Sequence, residues 1–197
     1  MDESGFTLRS HKDGSGKGVA AMQCTDYVKD REEIQLDEEL TARRSDLQQT
    51  LNERLLQAAD AKTRGNQFFQ ARSYCEALAA YLEGMDLLGA SEHAKVLLSA
   101  RLEGALTALL TDLRSNAAAA ALKAEDWEAA IACASSVLED DPSHAKALYR
   151  RASACIARAQ PADALSARAD LIKLVELQPH NGDAMRLLAR LPQPSYA

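Results

Sequence analysis

Residues 111–142, TDLRSNAAAAALKAEDWEAAIACASSVLEDDP, contain the pattern that decides the fold. Two stretches of helix-forming residues are joined by a short turn, and an Asp-Pro pair ends the second stretch. Trp127 opens the second stretch, with the small residues Ala118 and Ala130 on either side of it. Because small residues let two helices cross closely, the pattern predicts a unit of helix, short turn and helix.

The same unit occurs three times along the chain. The first copy is AKTRGNQFFQARSYCEALAAYLEGMDLL at residues 61–88, and the third is AKALYRRASACIARAQPADALSARADLIKLVELQP at residues 145–179. The period is about 34 residues once an insert of about 19 residues near SEHAKVLLSARLEGALTALL is removed. The alignment places Trp127 on Tyr74, Ala130 on Ala77 and Ala118 on Gly65.

The composition of the 197 residues points to helices alone. Alanine occurs 38 times and leucine 28 times, whereas valine and isoleucine together occur nine times. Residues that favour strands are therefore scarce, which excludes parallel-sheet nucleotide-binding folds and β-sandwiches. The net charge of −6 also argues against nucleic-acid binding, which needs a basic surface.

Three features predict a soluble, cytoplasmic protein. The longest apolar run, residues 117–122, is far below the roughly 20 residues of a membrane span. The opening MDESG is acidic where a secretory signal carries positive charge. The cysteines form no CxxC pair; Cys75, Cys133 and Cys155 lie in helical patterns and are expected to be small core residues in a reducing compartment.

The three units resemble the tetratricopeptide repeat (TPR) family over roughly residues 58–180. The resemblance implies an all-α fold in which three helix-turn-helix repeats stack as a right-handed superhelix. The insert carries an apolar stripe and most simply lengthens two adjacent helices, as in the TPR domains of immunophilin-type co-chaperones; the stripe consists of Val96, Leu97, Leu102, Leu106, Leu109 and Leu113. HNGDAMRLLARL, residues 180–191, is expected to be a C-terminal capping helix with Asn181 as its N-cap.

The domain organisation follows from these units. Residues 1–36 are expected to be a flexible tail, since they are rich in glycine and poor in large apolar groups. Order is expected to begin near Ser45, which has the spacing of a capping box with Gln48. The predicted TPR domain is 37–191, with repeats at about 58–90, 111–144 and 145–180, a capping helix at 181–191 and a tail at 192–197.

The first helices of the repeats line a concave groove, and five polar residues on them match the two-carboxylate clamp of the co-chaperone branch. Side chains four residues apart share a helical face, so each pair can point into the groove together. The resemblance implies that the groove binds the C-terminal tail of heat-shock chaperones, ending Glu-Glu-Val-Asp. The predicted peptide-binding residues are Lys62, Asn66, Asn116, Lys146 and Arg150.

Other functions have weaker support in the sequence. The histidines are isolated, and no serine or cysteine nucleophile lies in a recognisable catalytic setting, so we expect no catalytic residue, cofactor or metal site. Two alternatives remain open: a scaffold that binds internal motifs, and the TPR part of a prolyl isomerase whose catalytic domain is absent from this chain. Trp127, Tyr74, Phe68, Phe69 and Tyr81 are assigned to packing, although one of the last three could edge the groove. The choice between the 70 and 90 kDa chaperones and the oligomeric state stay open.

Overall fold

The computed structural model describes residues 24–92, 99–160 and 162–191, and the side chains among them except at 24–34 and 90–92. These residues form seven helices and no strand, which confirms the predicted all-α fold of TPR-like repeats. The helices are α1 (Cys24–Gln70), α2 (Tyr74–Glu92), α3 (Ala100–Lys123), α4 (Trp127–Asp140), α5 (Ala145–Arg158), α6 (Asp163–Leu177) and α7 (Gly182–Arg190).

The turns show that the units are true repeats. Tyr74 and Trp127 begin α2 and α4, as the alignment predicts. Two residues before each aromatic, Arg72 and Glu125 have left-handed backbone conformations, with φ of 64° and 61°. A left-handed residue just after a helix ends the helix and turns the chain. The first two units therefore share their backbone turn as well as their sequence pattern.

Small residues lie where the helices cross, as predicted. Ala77, Ala118 and Ala130 have no exposed surface. A Cβ atom added to Gly65 would lie 2.5 Å from Cε1 of Tyr81, so the ring of Tyr81 packs directly on the backbone of α1. The larger core side chains, which include Leu88, Leu106, Leu113, Leu148, Leu171 and Leu174, fill the space between these contacts.

The insert lengthens the helices on both sides of it, as predicted. α2 has 19 residues and α3 has 24, whereas α4, α5 and α6 have 14, 14 and 15. Leu106 and Leu113 are buried, and Leu102 and Leu109 pack against the same core. Val96 and Leu97, the first members of the predicted stripe, lie outside the described residues.

The prediction that order begins near Ser45 is wrong. α1 begins at Cys24 and continues to Gln70, so Ser45 and Gln48 lie inside a helix and do not cap one. Residues 24–44 contain neither glycine nor proline, and glutamate and arginine together supply seven of the 21 residues. Such residues favour the helix, and a capping sequence does not interrupt it.

The chain divides into two compact units, Met1–Arg43 and Arg44–Ala197. In the first unit the structure describes the helical residues 24–43, and the side chains from residue 35 to 43 are exposed. The second unit contains the three repeats and α7. The remainder of the predicted N-terminal tail, residues 1–23, and the predicted C-terminal tail, 192–197, lie outside the described residues.

The last helix of the second unit has the predicted N-cap. The side chain of Asn181 accepts a hydrogen bond from the backbone N–H of Ala184 at 3.1 Å. At the other end, Arg168 of α6 donates to the carbonyl oxygen of Leu191 at 3.0 Å. The cap closes the first turn of α7, and the bond from Arg168 holds its C-terminal end against α6.

The cysteines fulfil the prediction in part. Cys133 and Cys155 are buried, and burial raises the pKa of both thiols. Cys75, predicted to be in the core, is exposed, because it follows Tyr74 directly and therefore points away from the face that Tyr74 and Ala77 bury. Among the residues that the structure describes, no helix is both long and apolar enough to cross a membrane.

Candidate functional site

Two adjoining cavities lie on the inner side of the repeats. The smaller one, of about 230 Å³, is lined by Asn66, Phe69, Gln70, Tyr81, Asn116, Ala119 and Arg150. The larger one, of about 530 Å³, is lined by Phe69, Ala119, Leu122, Lys123, Ala145, Lys146, Tyr149, Arg150, Gln178, Asn181 and Asp183. Phe69, Ala119 and Arg150 line both cavities, so they form the boundary between the two.

Of the five predicted residues, all within the described part of the chain, four line these cavities. Asn66, Asn116 and Arg150 meet in the smaller cavity, while Lys146 and Arg150 lie one turn apart in the larger one. Lys62 lies outside both cavities, one turn before Asn66 on α1. The structure therefore brings the two asparagines and Lys146 together on either side of Arg150. Lys62 lies next to this group, outside the cavities.

A hydrogen-bond network fixes the amide of Asn66. Its Oδ1 accepts a hydrogen bond from the phenol of Tyr81 at 2.8 Å and one from Nδ2 of Asn116 at 3.3 Å. Burial raises the pKa of Tyr81, although the positive charge of Arg150 acts in the opposite direction, so the phenol remains a donor near neutral pH. With its oxygen engaged twice, Asn66 is oriented so that its amide nitrogen can donate to a ligand.

Arg150 is held against α3. Its Nη1 donates to the carbonyl oxygen and to Oγ of Ser115, both at 2.5 Å. Burial lowers the pKa of Arg150, but a guanidinium stays charged at neutral pH. A guanidinium has five N–H groups, so the contacts of this one nitrogen leave the rest of the planar fork available to a carboxylate.

Lys62 forms an ion pair with a residue of α3. Its Nζ lies 2.8 Å from Oδ2 of Asp112 on α3, and the two side chains are 28% and 60% exposed. Asp112 lies one turn before Asn116, as Lys62 lies one turn before Asn66. The ion pair and the pair of asparagines therefore bridge α1 and α3 at successive turns.

The larger cavity combines positive charge with apolar walls. Lys123 and Lys146 are exposed at its surface, and Asp183 lies at its far end, where it pairs with Arg186. Phe69, Leu122, Ala145 and Tyr149 supply the apolar walls. A cavity with these linings can bind an acidic chain that also carries an apolar side chain.

Several of these residues escaped the sequence reasoning. Lys123 is seven residues after Asn116, two turns along the same face of α3, and this spacing was a usable signal. Asp112 has the same 50-residue offset from Lys62 that Asn116 has from Asn66, but only the pairing of α1 with α3 gives that offset a meaning. Of the three aromatic residues considered for the groove edge, Phe69 lines both cavities, and Tyr81, which is 2% exposed, lines the smaller one.

A scan of the chain against models of known protein families gives no match. Solved structures do match. One is the C-terminal TPR-containing domain of an FK506-binding protein of Plasmodium falciparum, with 27% identity, 71% of this chain and 88% of that chain covered, and a TM-score of 0.64. Another is the second TPR domain of human RPAP3 in complex with the HSP70 peptide SGPTIEEVD, with 26% identity, coverage of 70% and 97%, and a TM-score of 0.55.

The chain is similar in fold and sequence to TPR domains of the co-chaperone branch. The myosin chaperone UNC-45 of C. elegans, solved in complex with a Hsp90 peptide, contains a similar region. The match has 28% identity and a TM-score of 0.53, and it covers 68% of this chain and 13% of UNC-45. The predicted resemblance to TPR domains of co-chaperones is thus confirmed, and with it the fold.

Proposed function

We propose that this TPR protein is a non-catalytic adaptor whose groove binds the C-terminal Glu-Glu-Val-Asp tail of heat-shock chaperones through a two-carboxylate clamp. Lys62, Asn66, Asn116, Lys146 and Arg150 form the clamp. The observation that carries the proposal is the position of Arg150 on the boundary of both cavities, with the two asparagines on one side and Lys146 on the other.

The chemistry of a chain terminus suits this arrangement. A terminal aspartate carries two carboxylates on one residue, so its recognition needs several donors and positive charge within a small volume. Arg150 offers a planar fork, Lys146 a mobile ammonium, and Asn66 and Asn116 amide donors without charge. An internal aspartate has only one carboxylate and would leave part of this donor set unused.

The larger cavity gives a place for the residues upstream of the terminal aspartate. The aromatic walls Phe69 and Tyr149 and the side chain of Leu122 are suited to the valine or isoleucine of such a tail, and Lys123 to one of its glutamates. The RPAP3 domain, solved with a peptide that ends in IEEVD, supports the same ligand class for this chain. Both the 70 and 90 kDa chaperones remain within the proposal.

The cytoplasm is the proposed site of action. Cys75, Cys133 and Cys155 are free thiols. Free thiols are typical of a reducing compartment, and there the chaperone tails would be accessible.

Calorimetry with SGPTIEEVD as the free acid and as the C-terminal amide tests the proposal. Lys146→Ala and Arg150→Ala should each weaken binding of the free acid, because loss of one charged partner of a desolvated ion contact costs about 2–5 kcal/mol. At about 1.4 kcal/mol per tenfold change, the low end exceeds a tenfold loss of affinity. Lys62→Ala should behave similarly, and Asn116→Ala more mildly, since it removes a neutral donor.

Lys173→Ala is the matched control, because Lys173 is exposed and lines a separate cleft between α4, α5 and α6. It should bind the free acid as the wild type does. Equal binding of the acid and the amide would refute the clamp and favour the alternative of a scaffold that binds internal motifs. Unchanged binding by Lys146→Ala and Arg150→Ala would show that the clamp residues are wrongly assigned.

A further inference from the structure

The ion pair between Lys62 and Asp112 lies at one end of the proposed clamp. Nζ and Oδ2 are 2.8 Å apart, the distance of a charge-assisted hydrogen bond. The pair joins α1 to α3 next to the contact between Asn66 and Asn116. Lys62 and Asp112 lie one turn before Asn66 and Asn116, so the ion pair is on the same helical faces as the two asparagines that line the smaller cavity.

The partner of Lys62 is chemically the same group that the clamp would receive from its ligand. Asp112 offers a carboxylate, and an ammonium group forms its strongest contacts with carboxylates. One of the three N–H donors of Lys62 is directed at Asp112, and the charge of the lysine is balanced within the protein. A ligand carboxylate therefore has to displace Asp112 or share the lysine with it.

We propose that Asp112 is a specificity-determining residue that competes with the ligand carboxylate for Lys62 and so weakens the binding of acidic tails. The inference rests on the proposed function of the groove. Two elements set the strength of the competition: Asp112 is tethered, so it is always present at high local concentration, and it is 60% exposed, so it can swing away without opening the core.

Other acidic groups near the groove are placed differently. Asp183, at the far end of the larger cavity, pairs with Arg186 of its own helix and not with a clamp residue. Asp112 is thus the acidic group on the described inner surface that contacts a proposed clamp residue directly. Its removal should change the affinity through Lys62, while removal of an acid elsewhere should not.

The test measures binding of the free-acid peptide SGPTIEEVD by calorimetry in a double-mutant cycle of Asp112→Asn and Lys62→Ala. We expect Asp112→Asn to bind about three- to fivefold more tightly than the wild type, or about 0.7–1 kcal/mol at 1.4 kcal/mol per tenfold change. This matches the strength of exposed ion pairs. In the Lys62→Ala background the same substitution should change affinity by less than about twofold, because the lysine is gone.

Asp86→Asn is the charge-matched control, since Asp86 is exposed on α2 and lines a different cleft. It should leave the affinity unchanged, and thermal melting should show that all variants are folded. If the wild type binds the free acid but Asp112→Asn binds equally or more weakly, the competition is refuted and the clamp stands. If Asp112→Asn still raises the affinity in the Lys62→Ala background, the competition for Lys62 is refuted, and Asp112 acts instead by repelling the charge of the acidic peptide. If no variant distinguishes the free acid from its amide, the proposed function fails, and the role of Asp112 fails with it.

Discussion

Gly65 couples the packing of the first repeat to the geometry of the groove, and Gly65→Ala should disturb both. An added Cβ would lie 2.5, 2.7 and 2.9 Å from three ring atoms of Tyr81, so the ring has to move. The ring is 2% exposed, and the open space beside it is the smaller cavity that it lines, so its displacement would also change the shape of that cavity. The same displacement also strains the 2.8 Å hydrogen bond to Asn66.

The expected net loss of stability is about 2 kcal/mol. Overpacking of a core by one carbon costs about 1–3 kcal/mol, and loss of the Tyr81 hydrogen bond adds about 1 kcal/mol. The better helix propensity of alanine returns about 1 kcal/mol. Since a protein of this size changes its Tm by about 2–4 °C per kcal/mol, we expect Tm to fall by about 4–8 °C.

Thermal melting and peptide calorimetry measure the two effects. Gly104→Ala, in the interior of α3, is the matched control: no described atom lies within 4 Å of its added Cβ, so it should raise Tm by about 2 °C through helix propensity alone. Tyr81→Phe, which removes only the hydroxyl, should weaken peptide binding as Gly65→Ala does. A Gly65→Ala protein as stable as the wild type would refute the close contact between the ring and α1.

Two further predictions concern ion pairs outside the groove. Asp170 is buried and binds Arg151 through two hydrogen bonds of 2.7 and 2.8 Å, so Asp170→Asn should lower the free energy of unfolding by about 2–3 kcal/mol, while Asp86→Asn should change it little; equal effects would contradict the burial of this pair. The hydrogen bond from Arg158 holds the pKa of Asp163 below its usual value, which is about 3.9 in unfolded chains, so its contribution to stability is complete above about pH 5 and is lost as pH falls through the lower folded pKa. Thermal melting at a series of pH values should therefore show that the Tm difference between wild type and Asp163→Asn shrinks below pH 4. A constant difference from pH 7 to pH 2 would show that this carboxylate does not titrate as described.

The features that the sequence predicted correctly are those fixed by local rules. The aromatic openings at Tyr74 and Trp127, and the N-cap at Asn181, follow from helix periodicity and from the shortage of partners at helix ends. The small residues at helix crossings follow from the repeat itself. Each of these needs only the residues within one unit.

The failures came where a local signal was overridden or where two distant helices had to be paired. Ser45 and Gln48 have the spacing of a cap, but the helix-forming residues on both sides carry α1 through them. Cysteine is a residue type that is usually buried, yet Cys75 is exposed because it lies on the outward face of α2. The role of Asp112 required the register of α1 against α3, which no helical pattern contains.

The alanine run from Ala117 to Ala121 has a consequence for ligand binding. Four of its five methyl groups have no exposed surface, and they form the part of α3 that contacts its neighbours. An alanine has no rotamers, so this contact has no side-chain entropy to lose on folding and no alternative side-chain conformation to adopt afterwards. The spacing of α3 from the adjacent helices, and with it the positions of Asn116 and Ser115, is therefore fixed before a ligand arrives. A peptide would meet a preorganised surface, and little of its binding free energy would be spent on ordering the protein.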